Sequence, residues 1–297
     1  MSVSYVLIQR EKILLLRIVL LIGINLLTAC TSLATNNPNY SVLEESSLPE
    51  ELKETSGLYC PEVGSAYTVN DSGNEPIIYQ IDSTGRIMSK KVVSAENRDW
   101  EALTGDRQYF YIGDVGNNNG KRKFVQIHAV PKQGNKDSET NVTTSRVFYI
   151  NNSIKRNEYL NHDFDAETLV NLHDSLFLFS KSWNTGTLFI YQLNKIEAKQ
   201  YVEHVSEIDG LPGIVTGGDF DRKNNRFILV GYEIKAMGSF SPFIAILNRD
   251  LTLQKFFELS GFGQVEGMCV TPNGEVWFTQ EDSFFSNHKI VKLNLAK

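Results

Sequence analysis

The chain has 297 residues, with 29 Lys or Arg against 35 Asp or Glu, which gives a formal net charge of −6 at pH 7. A negative balance argues against nucleic acids and anionic lipid surfaces as partners, because both repel an acidic protein. The length is ample for one hydrophobic core. Composition therefore argues against nucleic-acid binding and predicts one acidic globular domain, which we expect to be a monomer.

Residues 1–30 predict a lipoprotein signal peptide. Basic residues precede or interrupt an apolar run over 18–27, which is too short to span a bilayer and is typical of a secretory signal. The segment Leu27–Cys30 resembles the lipobox of bacterial lipoproteins, and this resemblance implies that Cys30 is lipidated as the first residue of the mature chain. The alternatives are an ordinary signal peptide and a signal anchor that happen to contain a cysteine.

Residues 31–39 are polar and predict a short tether, so that the folded domain extends over 40–297. Thr31, rather than Asp, follows the cysteine, and the lipoprotein resemblance then implies the outer membrane where a bacterium has two. Removal of the signal leaves 26 basic and 34 acidic residues, a net charge of −8, and no later run is apolar enough to cross a membrane. We therefore expect a lipid anchor to the membrane and a place in the bacterial cell envelope, on the outer membrane or the periplasmic face.

A pair of β-rich runs recurs along the chain after residue 50, with turn residues between the two runs. The first runs contain Ser56–Leu58, Glu101–Leu103, Glu167–Leu169, Gly218–Phe220 and Glu266–Met268. The second runs contain Tyr67–Asp71, Tyr111–Asp114, Leu178–Lys181, Leu229–Tyr232 and Trp277–Glu281. An array of this period is typical of a β-propeller, in which each repeat is one blade around a central axis.

Further runs complete the blades. Third strands are predicted at Ile77–Asp82, Phe124–Val130, Leu188–Asn194, Phe243–Asn248 and Ile290–Leu295. Outer strands are predicted at Ile87–Val93, Arg146–Ile150, Tyr201–Ile208 and Leu253–Leu259. The fifth repeat has no outer run of its own, and a strand near Tyr40–Leu43 is expected to fill that place and close the ring.

The predicted fold is therefore an all-β, five-bladed β-propeller closed by an N-terminal strand. A six-bladed propeller is the alternative, because the long stretch 132–161 has room for an irregular extra blade. The Gly, Asn, Asp, Ser and Thr content of that stretch makes a loop or insertion the favoured interpretation.

Cys60 and Cys269 remain in the mature chain, in a compartment where disulfides form. They fall in the first and fifth repeats, which closure of the ring makes neighbours. One cysteine lies an even number of residues after the start of its repeat and the other an odd number. Because side chains alternate along a strand, the two side chains are expected on opposite faces of their strands. The sequence thus predicts two buried free thiols rather than a disulfide, with the bridge as the alternative.

A column of acidic residues is expected around the axis. In a blade, the first strand begins and the second strand ends on the same face, so equivalent positions form rings. Ser56, Glu101, Glu167 and Glu266 occupy the first ring, with Gly218 as its place in the fourth repeat. Carboxylates that meet in a narrow channel repel one another unless a positive charge compensates them.

A calcium ion suits this ring, because calcium accepts six to eight oxygen ligands in flexible geometry, whereas magnesium demands a stricter octahedron. The alternative is a buried salt-bridge network in which Lys181 or Arg98 neutralises the carboxylates. Zinc is not expected, since the histidines never fall at metal-ligand spacing.

A second ring, further from the axis, holds the candidate catalytic residues. Its members are Asp71, Asp114, Lys181, Tyr232 and Glu281, and Glu54, Asp99 and Asp165 add acidity at the same mouth. Asp71, Asp114 or Glu281 would act as a base, and Lys181 or Arg122 would hold an anionic substrate.

The phrases Asp99–Leu103 and Tyr111–Gly116, with the series Ser, Glu, Glu, small residue, Glu on successive inner strands, resemble the five-bladed calcium-activated nucleotidases of the apyrase family. This resemblance implies five blades and an axial calcium held by one residue per blade. Those enzymes have a serine where Gly218 stands here, and their nucleotide-binding motifs are not evident in this chain.

A resemblance that covers residues 50–296 is to uncharacterised bacterial propeller proteins. It rests on the phrases Asn70–Asn74, Asp99–Glu101 and Asp114–Asn117 and on the Glu-Gly pair at Glu266. Phytase-like esterases and gluconolactonase-type lactonases are looser relatives, and in the lactonases the glutamate of a Glu-Gly phrase binds calcium. None of these families specifies a substrate for this chain.

Two functions follow as hypotheses. The first is a calcium-dependent hydrolase of phosphate esters, lactones or other small anionic esters, in which Asp71, Asp114 and Glu281 are free to face the substrate. The second is a binding or scaffolding propeller with a structural calcium, whose ligand is a small anion or an envelope partner. In that case the same side chains are expected to cap turns or to pair with Arg98, Arg107 and Lys181.

Overall fold

The computed structural model describes residues 37–133, 141–235, 238–282 and 287–296. Strands make up nearly all of the secondary structure in these ranges, and a short 3-10 turn at Glu50–Leu52 precedes the first blade. The predicted signal peptide, Cys30 and most of the predicted tether lie outside the described residues. No helix within the described ranges has the length and apolar character needed to cross a membrane.

The strands of the described ranges form five sheets that are arranged around one axis, and their strand pairs are antiparallel with one exception at the edge of the second sheet. The innermost strands are β2 (Thr55–Glu62), β6 (Trp100–Gly105), β10 (Ala166–Leu172), β15 (Ile214–Asp221) and β19 (Val265–Val270). Each inner strand packs against the next one along the chain, and β19 packs against β2, so the ring closes. The predicted all-β, five-bladed propeller is confirmed.

The second and third strands complete the body of each blade. The second strands are β3 (Ser65–Asn70), β7 (Tyr109–Asp114), β11 (Ser175–Ser180), β16 (Arg226–Ile234) and β20 (Val276–Gln280). The third strands are β4 (Ile77–Asp82), β8 (Val125–Pro131), β12 (Leu188–Asn194), β17 (Phe240–Asn248) and β21 (Lys289–Leu295). They match the predicted third strands closely, because long β-branched and aromatic runs between turns leave little choice of register.

The outer strands are β5 (Ile87–Val92), β9 (Thr143–Tyr149), β14 (His204–Ile208), β18 (Leu253–Glu258) and β1 (Tyr40–Ser47). Strand β1 pairs with β21 from Tyr40 opposite Leu295 to Ser47 opposite Lys289. The predicted closure of the last blade by an N-terminal strand is therefore confirmed. Its effect is to cover the edge of β21 and to tie the first strand of the domain to the last.

The predicted outer strand Tyr201–Ile208 is in fact two strands. Strand β13 (Lys199–Val202) pairs in parallel with β9 at the edge of blade two, and β14 then pairs with β12 in blade three. The chain thus crosses from one blade to the next at Glu203, which gives blade two a fifth strand. The stretch 132–161 contains β9 of blade two, so within the described residues it contributes no separate sixth blade.

The inner strands are buried on both faces because each lies between two neighbouring blades. Every residue of β6 and of β10 is buried. Apolar clusters fill the spaces between blades, as where Phe227 of blade four stacks edge-on against Phe179 of blade three and Phe220 of its own blade. Polar side chains that lie on the inner strands therefore sit in a desolvated environment at the axis.

Cys60 of β2 and Cys269 of β19 form a disulfide, with their Cα atoms 5.6 Å apart. The expectation of two free thiols was wrong. The reason is that both strands contain β-bulges, and one bulge of β2 lies between Tyr59 and Glu62 and so includes Cys60. A bulge inserts an extra residue and resets the alternation of side chains, so counting residues along these strands misplaces the sulfur atoms.

Candidate functional site

A β-bulge near the start of each inner strand turns one side chain toward the axis. The pairing shifts between Thr55 and Gly57, Trp100 and Ala102, Ala166 and Thr168, Val215 and Gly217, and Val265 and Met268. The residues at these bulges, called the axial ring below, are Ser56, Glu101, Glu167, Thr216 and Glu266, and each is at most 9% exposed. We call this end of the axis the upper end.

The ring residue of blade four is Thr216 and not Gly218. Val215 pairs with Gly231 and Gly217 with Val230, which leaves Thr216 as the extra residue. A Cβ added to Gly218 would lie 2.9 Å from the Thr168 methyl, so this position faces blade three. The pair Thr216-Gly217 has the pattern of Ser56-Gly57 and Glu266-Gly267, a sequence signal that would have identified it.

With Thr216 in place, the ring carries a side-chain oxygen from every blade. The gap that Gly218 leaves in the series expected from the apyrase resemblance is therefore filled by a hydroxyl. In the structure the Thr216 hydroxyl donates to the backbone carbonyl of Val265, at 2.7 Å, and so joins blades four and five.

The glycines that follow three of the ring residues let neighbouring inner strands approach closely. A Cβ on Gly217 would lie 2.2 Å from the carbonyl oxygen of Glu266, and one on Gly267 would lie 2.6 Å from that of Ser56. This packing leaves a cavity of only about 10 Å³ between the five inner strands, lined by both these glycines and Glu167. The axis is therefore closed below the ring, since a water molecule needs about this volume or more.

Lys181, from the end of β11, enters the ring and forms an ion pair with Glu167. Its ammonium lies 5.0 Å from the centre of the Trp183 ring. Burial lowers the pKa of Lys181, but the attraction of Glu167, Glu266 and neighbouring acidic groups outweighs burial and raises it above its usual range. Lys181 is therefore charged, and it is the basic partner that the salt-bridge alternative named.

One lysine does not neutralise the acidic groups around it. Burial and the nearby Glu167 raise the pKa of Glu101 well above its usual range. Burial and the neighbouring Glu281 raise the pKa of Glu266 to about 8. The pKa of Glu281 is likewise raised to about 8, by burial and by Asp71. Without a further cation, several of these carboxyl groups would hold protons at neutral pH.

Two ring carboxylates have at least one oxygen atom to which no described group donates a hydrogen bond. Oε2 of Glu167 is buried and has no partner, while Oε1 pairs with Lys181. Glu101 accepts no hydrogen bond from the residues that the structure describes, and its Oε1 faces Gly116 together with Oδ2 of Asp99. A Cβ on Gly116 would lie within 2.6 Å of both oxygens, so a larger residue at this position would force the two carboxylates to move.

Asp114 and Arg122 are engaged with each other. Nη1 of Arg122 donates to Oδ1 of Asp114 at 2.7 Å and to the Gly116 carbonyl at 2.8 Å, and both side chains are buried. Burial raises the pKa of Asp114, but the neighbouring His128 and Arg122 outweigh burial and lower it below its usual range. Asp114 thus anchors the loop that carries Gly116. It pairs with a basic residue, as a scaffold would require, but the partner is Arg122 rather than Arg98, Arg107 or Lys181.

Asp71 and Glu281 lie at the mouth above the ring and are only partly buried. Asn74 donates to Oδ1 of Asp71 at 3.1 Å. Burial, followed by the nearby Glu54, raises the pKa of Asp71 to about 6. These two residues are therefore the second-ring carboxylates that keep partial access to solvent.

Sequence reasoning missed two residues that organise this end of the axis. Gln264 donates from Nε2 to Glu266 and to Glu281, at 2.8 Å each, and so links the two rings. Asp165 accepts from the backbone N–H of Asn117 at 2.6 Å and from Nε1 of Trp183 at 2.9 Å. Asp165 was expected only to add acidity at the mouth, because sequence does not reveal which loop its carboxylate holds.

The donors of the ring suit a hard cation, although the ring is not arranged around one. Within the described ranges, no three His, Cys, Asp or Glu side chains converge closely enough to hold a metal ion. The donor set is nevertheless made of oxygen alone, two hydroxyls and three carboxylates, and includes the unpartnered Oε2 of Glu167. This chemistry fits calcium, and a bound cation would compete with the Lys181–Glu167 ion pair.

Comparisons with known proteins extend to the fold alone. No protein-family model and no curated protein matches the chain. Virginiamycin B lyase from Staphylococcus aureus has a similar structure at 11% identity and a TM-score of 0.45, over 86% of this chain and 100% of that chain. A streptogramin B lyase gives 13% identity and a TM-score of 0.42 over 87% and 98%. A protein of unknown function from Bacteroides caccae gives 10% identity and a TM-score of 0.47 over 80% and 77%. With identities of 10–13% and TM-scores below 0.5, these likenesses carry no conclusion about the activity of this chain.

Proposed function

We propose that the chain is a calcium-stabilised β-propeller of the bacterial cell envelope that acts as a binding module. The observation that carries the proposal is the axial ring, in which the bulged residue of each blade contributes one buried oxygen ligand. A buried set of carboxylates requires compensation by positive charge, and Lys181 supplies only one.

Calcium would be held by Ser56, Glu101, Glu167, Thr216 and Glu266, with water completing its coordination. When bound, it would supply positive charge to carboxylates that otherwise repel one another, and so would join all five blades at the axis. Because the ring residues are buried, this role is structural.

A binding role is favoured over catalysis by the state of the second ring. Asp114 is buried against Arg122, and Lys181 is paired with Glu167, so neither is free to act on a substrate at the mouth. Cys30 would carry the lipid that anchors the protein to the membrane, with residues 31–39 as the tether. The propeller would then present its surface to a small anionic ligand or an envelope partner.

Asp71 and Glu281 support a second candidate function, a calcium-dependent hydrolase of small anionic esters. Both carboxyl groups lie at the mouth, and their pKa values of about 6 and about 8 are near neutral pH. A base works best when its pKa lies near the working pH. Asp71 would therefore be able to accept a proton from water near neutral pH, and Glu281 would do so only above about pH 8.

The test is metal content and thermal unfolding of the mature chain, with and without EDTA. We expect one calcium per chain and, with calcium at about a hundredfold above Kd, an increase in stability of about 3 kcal/mol. Glu101→Gln should remove most of that increase. Glu54→Gln, at an exposed acidic position of the same mouth, is the matched control and should keep it. Absence of bound calcium together with no response to EDTA would refute the proposal.

Enzyme assays separate the two candidates. Phosphate esters, lactones and carboxylic esters are offered to the wild type in calcium and in EDTA. The binding module predicts no turnover in either. Turnover that needs calcium and is lost in both Asp71→Asn and Glu281→Gln would establish the hydrolase instead.

A further inference from the structure

A second cavity opens at the lower end of the axis, where the inner strands finish. Its volume is about 670 Å³, and all five blades contribute to its walls. Binding sites for small molecules commonly enclose 300 to 1,000 Å³. Because the axis is closed between this cavity and the axial ring, the two sites are separate.

Basic side chains in this cavity lack acidic partners. Arg107, Lys132, Arg222 and Lys223 line it, and none of the four forms an ion pair with the described residues. Lys132 donates to the Tyr59 hydroxyl at 3.1 Å, and Arg222 donates to the backbone carbonyl of Asn171 at 3.2 Å. Their positive charge therefore remains available to an anion.

The acidic groups of the same cavity are largely satisfied by the protein. Asp106 accepts from the backbone N–H of Gln108 and Tyr109 and pairs with Lys195 at 3.3 Å. Asp219 is buried and accepts from the N–H of Phe220 at 2.7 Å and of Val270 at 3.0 Å. Among the carboxylates that line the cavity, only Glu62 is exposed, so the cavity favours a negative ligand.

A buried polar atom in the cavity wall has no partner. Nδ2 of Asn171 donates to the carbonyl of Gly105, whereas its Oδ1 accepts no hydrogen bond, and the residue is only 4% exposed. A buried acceptor without a donor is costly, and a ligand hydroxyl would satisfy it. Arg222 donates to the backbone carbonyl of the same asparagine, so the guanidinium and Asn171 belong to the same part of the cavity wall.

Aromatic rings complete the site. The rings of Tyr59 and Tyr67 lie 6.4 Å apart and line the cavity, and Lys132 lies 4.5 Å from the centre of the Tyr59 ring. Such faces pack against the apolar side of a ring-shaped ligand. The basic side chains, the unpartnered Asn171 oxygen and the tyrosine rings together suit a ring-shaped ligand that bears hydroxyl groups and an acidic group.

We propose that this lower cavity binds a small hydroxylated anion, with Arg222 and Arg107 on its phosphate or carboxylate group and Asn171 Oδ1 accepting from one of its hydroxyls. This inference deepens the proposed binding role by naming the ligand class and its place. It uses none of the axial-ring residues. Sugar phosphates and sugar acids share the required chemistry.

The test is calorimetric titration of the full mature chain with glucose 6-phosphate, glucuronate, inorganic phosphate and glucose, at constant ionic strength. We expect glucose 6-phosphate or glucuronate to bind at least tenfold more tightly than inorganic phosphate or glucose. Whichever of these two anions binds more tightly shows whether the cavity prefers a phosphate or a carboxylate group. Failure of both anions to bind at millimolar concentration would overturn the proposal, as would equal binding of inorganic phosphate and glucose 6-phosphate.

Variants locate the site. Arg222→Gln should weaken binding of the stronger anion at least tenfold, whereas Arg156→Gln, at an exposed arginine outside the cavity, should change it less than twofold. Equal effects of the two variants would place the anion elsewhere and overturn the proposal. Because Asn171→Leu can disturb folding, its circular dichroism is recorded first. If folded, it should weaken the sugar anion and leave inorganic phosphate unchanged.

A further titration distinguishes failure of the lower anion site from failure of the calcium site. The same titration is repeated with Glu101→Gln, which alters the axial ring alone. Unchanged anion binding in that variant supports a separate lower site, whereas its loss would show that the two ends form one site and would contradict this proposal.

Discussion

The two ends of the propeller axis are built from the same five strands yet differ in charge and in access to solvent. At the upper end, the bulged residues place three carboxylates and two hydroxyls in a buried ring with one lysine. At the lower end, the strands finish around an open cavity of about 670 Å³ with basic side chains that pair with no carboxylate in the described residues.

The two ends differ in burial as well as in charge, and burial determines whether a charged group must be compensated within the protein. Buried carboxylates at the upper end must be compensated within the protein, so that end suits a structural cation. The exposed Arg107, Arg222 and Lys223 at the lower end incur little desolvation penalty and remain available to a ligand. We therefore propose that the upper end serves stability and the lower end serves recognition.

The largest expected effect concerns the disulfide between Cys60 and Cys269, which joins blades one and five beside the lower cavity. The two cysteines are 209 residues apart in sequence, so their link restricts most of the unfolded domain. Replacing both by serine should lower the free energy of unfolding by about 5 kcal/mol. Chemical unfolding with and without reductant measures the loss. A reductant effect that persists in the double variant would contradict this origin.

The next effect concerns Lys181 at the upper end. In EDTA, Lys181→Met should lower stability by about 4 kcal/mol, because it removes the cation that is paired with buried Glu167. Calcium should restore most of this loss and bind more tightly than to the wild type, since a competing positive charge is gone. Lys289→Met, which breaks a surface pair with Glu45, is the control and should cost less than about 1 kcal/mol. If calcium does not restore the stability lost in Lys181→Met, the ring accommodates the lysine and does not bind calcium.

A smaller effect concerns the pH dependence contributed by Asp219 at the lower end. Burial raises the pKa of Asp219 from 3.8 to about 6. A raised pKa stabilises the fold fully below the unfolded value and loses that contribution as pH rises through the folded value, here between about 4 and 6. The loss is at most about 3 kcal/mol.

Urea unfolding at several pH values should therefore show Asp219→Asn gaining stability relative to the wild type as pH rises over that interval. Glu62→Gln removes a charge from an exposed position of the same cavity and should show no such gain. A difference between Asp219→Asn and the wild type that does not change with pH would rule out this role of Asp219.

The smallest effect tests the closed axis between the two ends. Gly217→Ala would bring a Cβ 2.2 Å from the backbone carbonyl of Glu266 and should destabilise the protein by about 2 kcal/mol. Gly113→Ala is the matched control, because its Cβ would meet only side-chain carbons, at 3.1 Å and beyond. Thermal unfolding compares the two. Equal effects would mean that the inner strands do not need close backbone contact.

The fold was predictable from sequence because the repeat is carried by long β-rich runs that the blade packing buries. The third strands Ile77–Asp82 and Leu188–Asn194 agree with the predicted bounds at both ends. The split of Tyr201–Ile208 was not predictable, because pairing with β9 depends on a neighbour that is distant in sequence.

The candidate site was predictable in composition but not in register. Ser56, Glu101, Glu167 and Glu266 do lie at equivalent bulges, whereas Gly218 was two residues away from Thr216. Bulges also defeated the parity argument for the cysteines. The pairing of Asp114 with Arg122 and the lower cavity escaped detection because both depend on loops, in which no period relates one blade to the next.

The central claim is that the axial ring binds one calcium ion, and calorimetric titration of the calcium-free mature chain tests it most directly. We expect one calcium site per chain, at least tenfold weaker calcium binding in Glu101→Gln, and unchanged calcium binding in Glu54→Gln. A titration without a saturable calcium site, or equal affinity in Glu101→Gln and the wild type, would contradict it.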